Sequence, residues 1–306
     1  MNNNVIFLDI DGVLNTYTTP PQGTARLQPA LDVDCFEILA KIVKFNNLSI
    51  VCSSSWRKIF SEEEFRNFLG PLESHLHEDW RTQSSRQGFR GNEVRQWVKE
   101  HAEVTNYVII DDDRDFYQYQ PLVHVDGSYG LQEKHIDQIR QLFNGQDVDL
   151  ITPVGLGYIR GDLLQGRSLA IAHGCNNRGV MRSGVAKAIR ETYPSAFRAY
   201  SKAHNLGDCS VISAATNTNS LQRILVFNCV TQNGYGYDGK RYVDYEALKN
   251  SLVKAASQVS SMEIWEIGIP KIGAGLGGGD WKIISRIIDE IAKLFQIKFL
   301  VYELDA

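Results

Sequence analysis

The chain lacks long apolar runs. Nowhere in its 306 residues is there a segment near the roughly 18 apolar residues that a membrane-spanning helix needs. Met1–Asn4 is polar, so we expect no signal peptide and no membrane partner. Cysteine is scarce, and no two cysteines form a CxxC pair, which argues against zinc ligands and disulfides and favours reduced thiols in a cytoplasmic protein. The five cysteines are Cys35, Cys52, Cys175, Cys209 and Cys229.

An excess of charge of one sign is also missing. The chain has 32 Lys and Arg against 36 Asp and Glu, a net charge of −4, which gives no overall attraction to nucleic acid but leaves room for a local basic patch. A hydrophobic content of 43% and a charged content of 22% are typical of globular α/β material. The length allows two domains, since domains usually run to about 100–200 residues. We predict domains over 1–146 and 150–306.

The most informative stretch is an apolar run followed by two closely spaced carboxylates. Val5–Leu8 is continuously apolar and β-prone, as expected of a central parallel strand covered on both faces. Alternation along the chain sends Asp9 and Asp11 to the same side where the strand leaves the sheet. Ligands bind at this edge of open α/β sheets, and Mg²⁺ would relieve the repulsion between the carboxylates. One could then attack phosphorus while the other transfers protons. The simpler alternative is an ordinary Asp-Gly turn.

Two later strands end in polar clusters of the same kind. The predicted strand Leu48–Cys52 runs into three consecutive serines, which could also be a loop or a helix cap. The predicted strand Tyr107–Ile110 runs into Asp111, Asp112 and a third aspartate. These carboxylates could form an exposed acidic turn, but at the end of an apolar strand they also supply oxygen ligands for Mg²⁺.

The sequence Asp-x-Asp-Gly-Val-Leu-Asn after the first strand resembles motif I of the haloacid-dehalogenase (HAD) phosphatases. The resemblance extends in order over residues 5–115. It implies that Asp9 is the phosphorylated nucleophile and Asp11 the general acid and base. It also implies a serine that donates a hydrogen bond to the phosphoryl group, for which we favour Ser54 and place Ser53 second. Arg90, in Phe-Arg-Gly-Asn-Glu-Val, matches the basic residue of motif III, although a surface arginine is the simpler explanation.

The same resemblance implies a Mg²⁺ cofactor and an open site. The expected ligands are Asp9, Asp111, Asp112 and the backbone carbonyl of Asp11. The segments between the motifs are too short for a large cap, so the expected fold is a Rossmann-like parallel sheet without one. Capless HAD enzymes usually act on large substrates, and the similarity is greatest to HAD domains of RNA-repair proteins. The implied partner is a phosphorylated nucleic-acid end or a nucleotide.

Two local segments give expectations about structure. His75-Leu-His-Glu-Asp79 contains possible metal ligands, but without a second ligand pair at suitable spacing we predict a solvated loop. In the second half, a helix is predicted to run to about Thr192 and to be closed by Tyr193-Pro194.

The second half alternates strands and helices, which predicts a three-layer α/β/α sandwich. Gly273-x-Gly275-x-x-Gly278 formally meets the dinucleotide-binding pattern, but only one strand remains after it, so we reject a Rossmann domain. Small residues before a helix can still present backbone N–H groups to a diphosphate. A second glycine loop lies at Gly179–Gly184.

The two glycine loops, together with Gly-Asp-Leu at 161–163 and His-Gly-Cys-Asn at 173–176, resemble a macro domain of the ADP-ribose-1″-phosphate phosphatase type over about residues 150–306. The resemblance implies that Asp162 holds the adenine amino group and that Asn176 contacts the distal ribose. If the loop Gly273–Gly279 wraps the diphosphate, Gly275 has to let the chain come within hydrogen-bonding distance of it. The implied ligand is ADP-ribose or ADP-ribose-1″-phosphate. The predicted binding residues are Asp162, Leu163, Asn176, Gly179, Ser183, Gly184, Val185, Gly273, Ala274, Gly275, Leu276 and Gly277.

How this site would activate water is open, because the usual Asn-Ala-Ala-Asn loop is replaced. His173 and Asp280 are chemically suited to the task, although a lone histidine at a strand end is often structural. The leading hypothesis is a bifunctional phosphatase in RNA repair. One alternative is a HAD phosphatase with a macro domain that only reads ADP-ribose. Another is a macro domain that strips ADP-ribose from protein or nucleic acid.

Overall fold

The computed structural model describes residues 4–19, 31–85, 88–144, 154–201, 204–215 and 223–304. The chain divides into two compact units, 1–151 and 152–306. None of the described helices is long and apolar enough to cross a membrane.

The first unit is built on a five-stranded parallel sheet. Its strands lie in the order β3-β2-β1-β4-β5, with β1 in the centre. The elements in chain order are β1 (Asn4–Leu8), α1 (Val33–Asn46), β2 (Ser49–Cys52), α2 (Glu62–Leu69), β3 (Leu76–Arg81), α3 (Arg90–Glu100), β4 (Asn106–Asp111), β5 (Leu122–His124) and α4 (Lys134–Asn144). Between β1 and β2 the described residues form only turns and α1.

The apolar residues of β1 belong to the hydrophobic cores on both faces of the sheet. Ile6 and Leu8 pack in the cluster that includes residues of α1 and α2, whereas Val5 and Phe7 pack in the opposite cluster with residues of α3. All four side chains are fully buried, as expected for a central parallel strand. The carboxyl ends of β1, β2 and β4 therefore meet at one edge of the sheet.

One local prediction is wrong, and another is confirmed. The segment predicted as a solvated loop contributes most of β3, an edge strand in which Leu76 and Trp80 are buried and the residues between them are polar. Polar side chains fit there because β3 has only β2 as a neighbour. The helix predicted to run to about Thr192 does end at that residue, with Tyr193 as its C-cap. Pro194 then begins a further helix, at a position where proline loses no intrahelical hydrogen bond.

The second unit has a six-stranded mixed sheet in the order β6-β11-β10-β7-β9-β8, in which β8 runs antiparallel to β9. The elements are β6 (Gly155–Arg160), β7 (Ala170–Asn176), α5 (Gly184–Thr192), α6 (Pro194–Tyr200), β8 (Cys209–Ala215), β9 (Arg223–Gln232), α7 (Tyr245–Ser261), β10 (Glu266–Ile269), α8 (Trp281–Phe295) and β11 (Lys298–Glu303). Residues of α7 and α8 pack in one apolar cluster of the sheet, and residues of α5 and α6 pack in others. This is the predicted three-layer α/β/α fold.

Candidate active sites

Three carboxylates meet at the carboxyl edge of the first sheet. Asp9 follows β1, and Asp111 and Asp112 lie at the end of β4, which pairs with β1. Oxygen atoms of these three side chains lie within 4.8 Å of one another. We call this group the carboxylate cluster. Asp9 and Asp111 are buried, so the cluster is set into the protein rather than displayed on its surface.

Arg90, the first residue of α3, binds this cluster. Its Nη1 lies 3.2 Å from Oδ1 of Asp9 and 2.5 Å from Oδ2 of Asp111. Its Nη2 lies 2.7 Å from Asp113, and its Nε lies 3.6 Å from Asp115. The structure thus brings the predicted motif III arginine to the predicted nucleophile, where its charge opposes that of the carboxylates.

The cluster is nevertheless short of positive charge. Burial raises the pKa of Asp9, against the opposing effects of the Arg90 charge and a hydrogen bond with the Ser54 hydroxyl. Burial also raises the pKa of Asp111, and the negative charge of Asp9 adds to that effect. One arginine does not offset the burial of these acids, and a cation among them would favour their ionised forms.

The remaining predicted residues of this site lie around Asp9. The side chain of Asp11 accepts hydrogen bonds from Trp56 Nε1, at 2.9 Å, and from Asn15 Nδ2, at 3.0 Å. Ser54 caps a short 3₁₀ helix and contacts Asp9. Ser53 is equally buried, and its hydroxyl has no hydrogen-bond partner among the described residues. The Ser54–Asp9 contact favours Ser54, while both serines remain predictions.

A pocket of about 360 Å³ opens at this edge, which we call the acidic pocket. Tyr17 and Lys58 are among the lining residues that the sequence did not predict. Both lie outside regular strands and α-helices, where no periodic pattern marks them. The lining residues are Asp9, Asp11, Tyr17, Ser55, Arg57, Lys58, Gly88, Arg90, Glu93, Asp112 and Asp113.

The second unit has two adjoining pockets at the carboxyl edge of its sheet. One, of about 490 Å³, lies between the loops after β7, β9 and β10, and we call it the glycine-loop pocket. The other, of about 850 Å³, lies beside the loop after β6, and we call it the Asp162 pocket. Four residues line both pockets, namely Gly184, Val185, Pro270 and Lys271, so the two form one extended cleft.

Most of the predicted ADP-ribose residues line this cleft. The residues found in the glycine-loop pocket are Asn176, Ser183, Gly184, Val185, Gly273, Gly275, Leu276 and Gly277. Asp162 and Leu163 line the other pocket. Gly179 and Ala274 are not among the lining residues of either one. A Cβ atom on Gly275 would meet no heavy atom within 4 Å, so the loop leaves open space at that position.

The amide of Asn176 shapes its own loop. Its Oδ1 accepts a hydrogen bond from the backbone N–H of Arg178, at 2.9 Å, and its Nδ2 donates to the carbonyl of Val180, at 2.7 Å. The side chain therefore folds the chain between β7 and α5 around itself. This contribution to the cleft is structural, and it is distinct from the predicted contact with ribose.

The two candidate catalytic residues of this unit lie in different surroundings. His173 lines the glycine-loop pocket but is only 1% exposed, and its Nε2 lies 2.8 Å from Asn228 Oδ1. Burial lowers its pKa to about 4. Asp280 is exposed, lies outside the lining of both pockets, and caps α8 by accepting a hydrogen bond from Lys282 N–H. The structure does not bring His173 and Asp280 together in the cleft.

The sequence reading did not select Gln232, Tyr235 and Tyr237, which line the glycine-loop pocket. Gln232 pairs with Asn176 across an irregularity in the register of β7 and β9. Such irregularities re-aim side chains and are common beside active sites. They depend on pairing between distant strands, so the local sequence carries no signal for them.

Family models match both units. One, described as the HAD domain in Swiss Army Knife RNA repair proteins, matches residues 5–136. Another, described as the macro domain, matches residues 172–288. These matches agree with the two resemblances drawn from the motifs.

Individual relatives match the second unit. An ADP-ribose 1″-phosphate phosphatase of Lodderomyces elongisporus is 30% identical over an alignment of 164 residues that covers 48% of this chain and 98% of that protein. A DNA ADP-ribosyl glycohydrolase of Thermus aquaticus is 27% identical over 151 residues, 48% of this chain and 41% of that protein. Among solved structures, the macrodomain of Thermus aquaticus DarG is 26% identical, with 48% of this chain and 97% of that one covered and a TM-score of 0.41. The first unit thus matches the model of the HAD domain in Swiss Army Knife RNA repair proteins, and through its second unit the chain belongs to the macro domain family.

Proposed function

We propose that the chain is a two-site phosphatase. Its first unit would remove phosphate from a nucleic-acid end or a nucleotide, with Mg²⁺ as cofactor. Its second unit would bind ADP-ribose and hydrolyse ADP-ribose-1″-phosphate. The observation that carries the first assignment is the carboxylate cluster beside Arg90, at the edge of a parallel sheet where ligands bind.

The donor set of the cluster fits Mg²⁺. This ion prefers oxygen ligands, and the cluster offers side-chain oxygens from Asp9, Asp111 and Asp112. The backbone carbonyl of Asp11 is the further expected ligand. The raised pKa values of Asp9 and Asp111 reflect buried acids that a divalent cation would hold ionised. When bound, Mg²⁺ would neutralise charge on the phosphate oxygens.

The chain's own residues would then carry out two displacements. A carboxylate oxygen of Asp9 forms a bond to phosphorus while the bond from phosphorus to the leaving oxygen breaks, and Asp11 gives its proton to that oxygen. Water then attacks phosphorus and gives a proton to Asp11. The bond between phosphorus and the Asp9 oxygen breaks, which frees Asp9 and releases inorganic phosphate. Arg90 already lies at Asp9, where its guanidinium would offset negative charge on the transferring group.

The extended cleft supports ADP-ribose binding by the second unit. Oδ1 of Asp162 accepts a hydrogen bond from Leu164 N–H, at 2.9 Å, which leaves the second oxygen of this exposed carboxylate for an adenine amino group. The open space at Gly275 would take the diphosphate. The distal ribose and its 1″-phosphate would then lie in the rest of the glycine-loop pocket. The relative named as an ADP-ribose 1″-phosphate phosphatase supports this substrate.

A second candidate is a macro domain that binds ADP-ribose without turning it over. Among the described residues that line the glycine-loop pocket, none is Asp or Glu. The one histidine there is buried and hydrogen-bonded to Asn228. The pocket as described thus lacks a carboxylate that could act as a base, which favours a domain that binds ADP-ribose without hydrolysing a derivative of it. A third candidate activity is the release of ADP-ribose from a macromolecule, which the relative named as a DNA ADP-ribosyl glycohydrolase supports.

The test measures phosphate release by the full chain and by Asp9→Asn. Wild type should act on a 3′-phosphorylated oligonucleotide with Mg²⁺ and on ADP-ribose-1″-phosphate, and the variant should lose only the first activity. Asp137→Asn, which changes an exposed acid on α4, is the matched control and should keep both. Near-wild-type oligonucleotide dephosphorylation by Asp9→Asn would refute the HAD assignment. Binding of ADP-ribose without phosphate release would identify the reader.

A further inference from the structure

Tyr17 is an exposed aromatic residue that is fixed in place. Tyr17 is 70% exposed, yet its hydroxyl donates a hydrogen bond to the carboxylate of Asp112. Its backbone N–H donates to the carbonyl of Gly127, at 3.0 Å. The ring also lies against Gly127, where a Cβ atom would be 2.2 Å from Cζ of Tyr17. The ring is therefore held at its hydroxyl, at its backbone and along one side.

The backbone next to Tyr17 is held as well. Thr16 N–H donates to Oγ1 of Thr19, at 2.8 Å, and the two threonine hydroxyls are 2.8 Å apart. Fixing a side chain costs conformational entropy, and an exposed ring recovers little of it by burial. A fixed, exposed ring has already lost the freedom that a ligand would otherwise have to remove on binding.

Tyr17 lies at the pocket proposed to bind the substrate of the first unit. Tyr17 lines the acidic pocket together with Asp9 and Asp112, so it stands at the pocket in which the reacting phosphate would bind. Lys58, an exposed cationic residue, lines the same pocket. A terminal nucleotide offers a phosphate, a flat base and, on its far side, an anionic phosphodiester. The acidic pocket offers a reactive carboxylate, a flat ring and a cation.

We propose that Tyr17 stacks on the base of the terminal nucleotide, and that Lys58 contacts the adjoining phosphodiester. The acidic pocket would thereby select nucleic-acid ends over phosphates that lack a base. Since every base has a π-face, this selection is independent of sequence. The inference rests on the proposed phosphatase activity and names the substrate class of that site.

A simpler role for Tyr17 is to hold Asp112 through its hydroxyl. Two substitutions separate the roles: Tyr17→Phe keeps the ring and removes the hydroxyl, whereas Tyr17→Leu removes both. Any effect of losing the Asp112 contact is shared by the two variants. The difference between them reports the ring alone. Because Tyr17 is exposed, we expect both variants to fold, and their melting temperatures check this.

The substrates are two oligonucleotides with a 3′-phosphate, identical except that one has an abasic terminal nucleotide. We measure kcat and KM with Mg²⁺ for both variants on both substrates. On the base-bearing substrate, kcat/KM of Tyr17→Leu should be at least about fivefold below that of Tyr17→Phe, mainly through KM, because base stacking contributes at least that much. On the abasic substrate the two variants should agree within about twofold.

Equal losses on both substrates, or no difference between the variants on either, would overturn the stacking proposal while leaving the phosphatase assignment standing. A wild-type chain that releases phosphate from neither oligonucleotide would refute the phosphatase assignment and this inference with it. Faster release from a phosphopeptide than from the base-bearing oligonucleotide would show that the ring serves a different substrate class.

Discussion

A Cβ atom on Gly12 would lie 2.2 Å from Oδ2 of Asp112, so the turn after β1 packs directly on the carboxylate at the end of β4. Gly12 also has a φ of +76°, which residues other than glycine rarely adopt. The close approach places Asp112 against Asp9 in the carboxylate cluster. Glycine at position 12 is thus part of the geometry of the site.

Gly12→Ala should therefore abolish most of the activity of the first unit. The new methyl group must displace Asp112, and misplacing a group of the active site by about 1 Å can lower kcat on the order of 100-fold. Gly70→Ala is the control, because Gly70 also has a positive φ, of +50°, but has no heavy atom within 4 Å of its Cβ position. Gly70→Ala should lower the melting temperature through backbone strain, but it should leave the kcat of the first unit near normal. Full activity of Gly12→Ala would show that the position of Asp112 is unimportant.

Chelation should separate the two units. EDTA should silence phosphate release from 3′-phosphorylated oligonucleotides, since the carboxylate cluster has the donors for Mg²⁺. ADP-ribose affinity, measured by isothermal titration in the same buffer, should change by less than about twofold, because backbone N–H groups can bind the diphosphate without a metal. Restoring Mg²⁺ should restore only the first activity. A loss of ADP-ribose binding that Mg²⁺ reverses would mean that the second cleft also uses a metal.

The parts of both sites that the sequence predicts are those encoded in adjacent residues. Asp9 follows one apolar run and Asp111 follows another, so each strand and the candidate site residue after it are predicted from the same short stretch of sequence. The same holds for the glycine loops. Because parallel strands end at one edge, these separate signals already imply a common site.

The parts that escaped prediction depend on contacts between distant segments. Tyr17 belongs to the acidic pocket because of its contacts with Asp112 and Gly127. β3 is a strand because it pairs with β2, despite polar residues at its centre. Likewise, the burial of His173 and its bond to Asn228 follow from the neighbouring strand β9. No local pattern reports such pairings.

Burial of His173 predicts acid sensitivity of the second unit. The unfolded chain takes up this proton near pH 6.5, whereas the folded pKa is about 4. Between these values the unfolded state binds more protons, so the free energy of unfolding falls as the pH falls, by about 3 kcal/mol for this group. The contribution is complete above about pH 6.5.

His173→Gln should flatten this dependence. Urea unfolding of the full chain between pH 7.5 and pH 4 measures it, with the transition of the second unit identified by its response to ADP-ribose. His204→Gln is the control in the same unit, since His204 is partly exposed and its ring lies at hydrogen-bonding distance from the carbonyl of Tyr200. A pH dependence unchanged by His173→Gln would show that this histidine is not the titrating group.

Asp162→Asn should weaken ADP-ribose binding without unfolding the loop after β6. Asparagine keeps an oxygen for the hydrogen bond from Leu164 N–H, but it turns an NH₂ group toward the proposed adenine amino group. Losing a charge-assisted hydrogen bond should lower the affinity roughly tenfold. Ribose 5-phosphate, which has no adenine, is the control ligand, and its affinity should stay unchanged. Equal losses for both ligands would place the effect of Asp162 outside the adenine contact.

Gly275→Val tests whether the open space in the glycine-loop pocket holds the diphosphate. A Cβ atom at Gly275 meets no neighbour, and Gly275 is not among the positive-φ glycines, so the chain should fold with an unchanged melting temperature. The valine side chain would instead occupy the ligand's space and lengthen several charge-assisted hydrogen bonds together. Affinity for ADP-ribose should fall by about 2 kcal/mol or more, roughly 30-fold.

Gly273→Ala provides the contrast in the same loop. Gly273 has a φ of +76°, and its Cβ position lies 2.9 Å from Cγ2 of Val243, so this variant should lower the melting temperature as well as the affinity. Gly275→Ala, with a smaller side chain, should give a loss of affinity between wild type and Gly275→Val. Dephosphorylation of oligonucleotides should be unaffected by Gly275→Val, because that site lies in the other unit. If Gly275→Val binds ADP-ribose as wild type does, the loop is a structural turn and the diphosphate binds elsewhere.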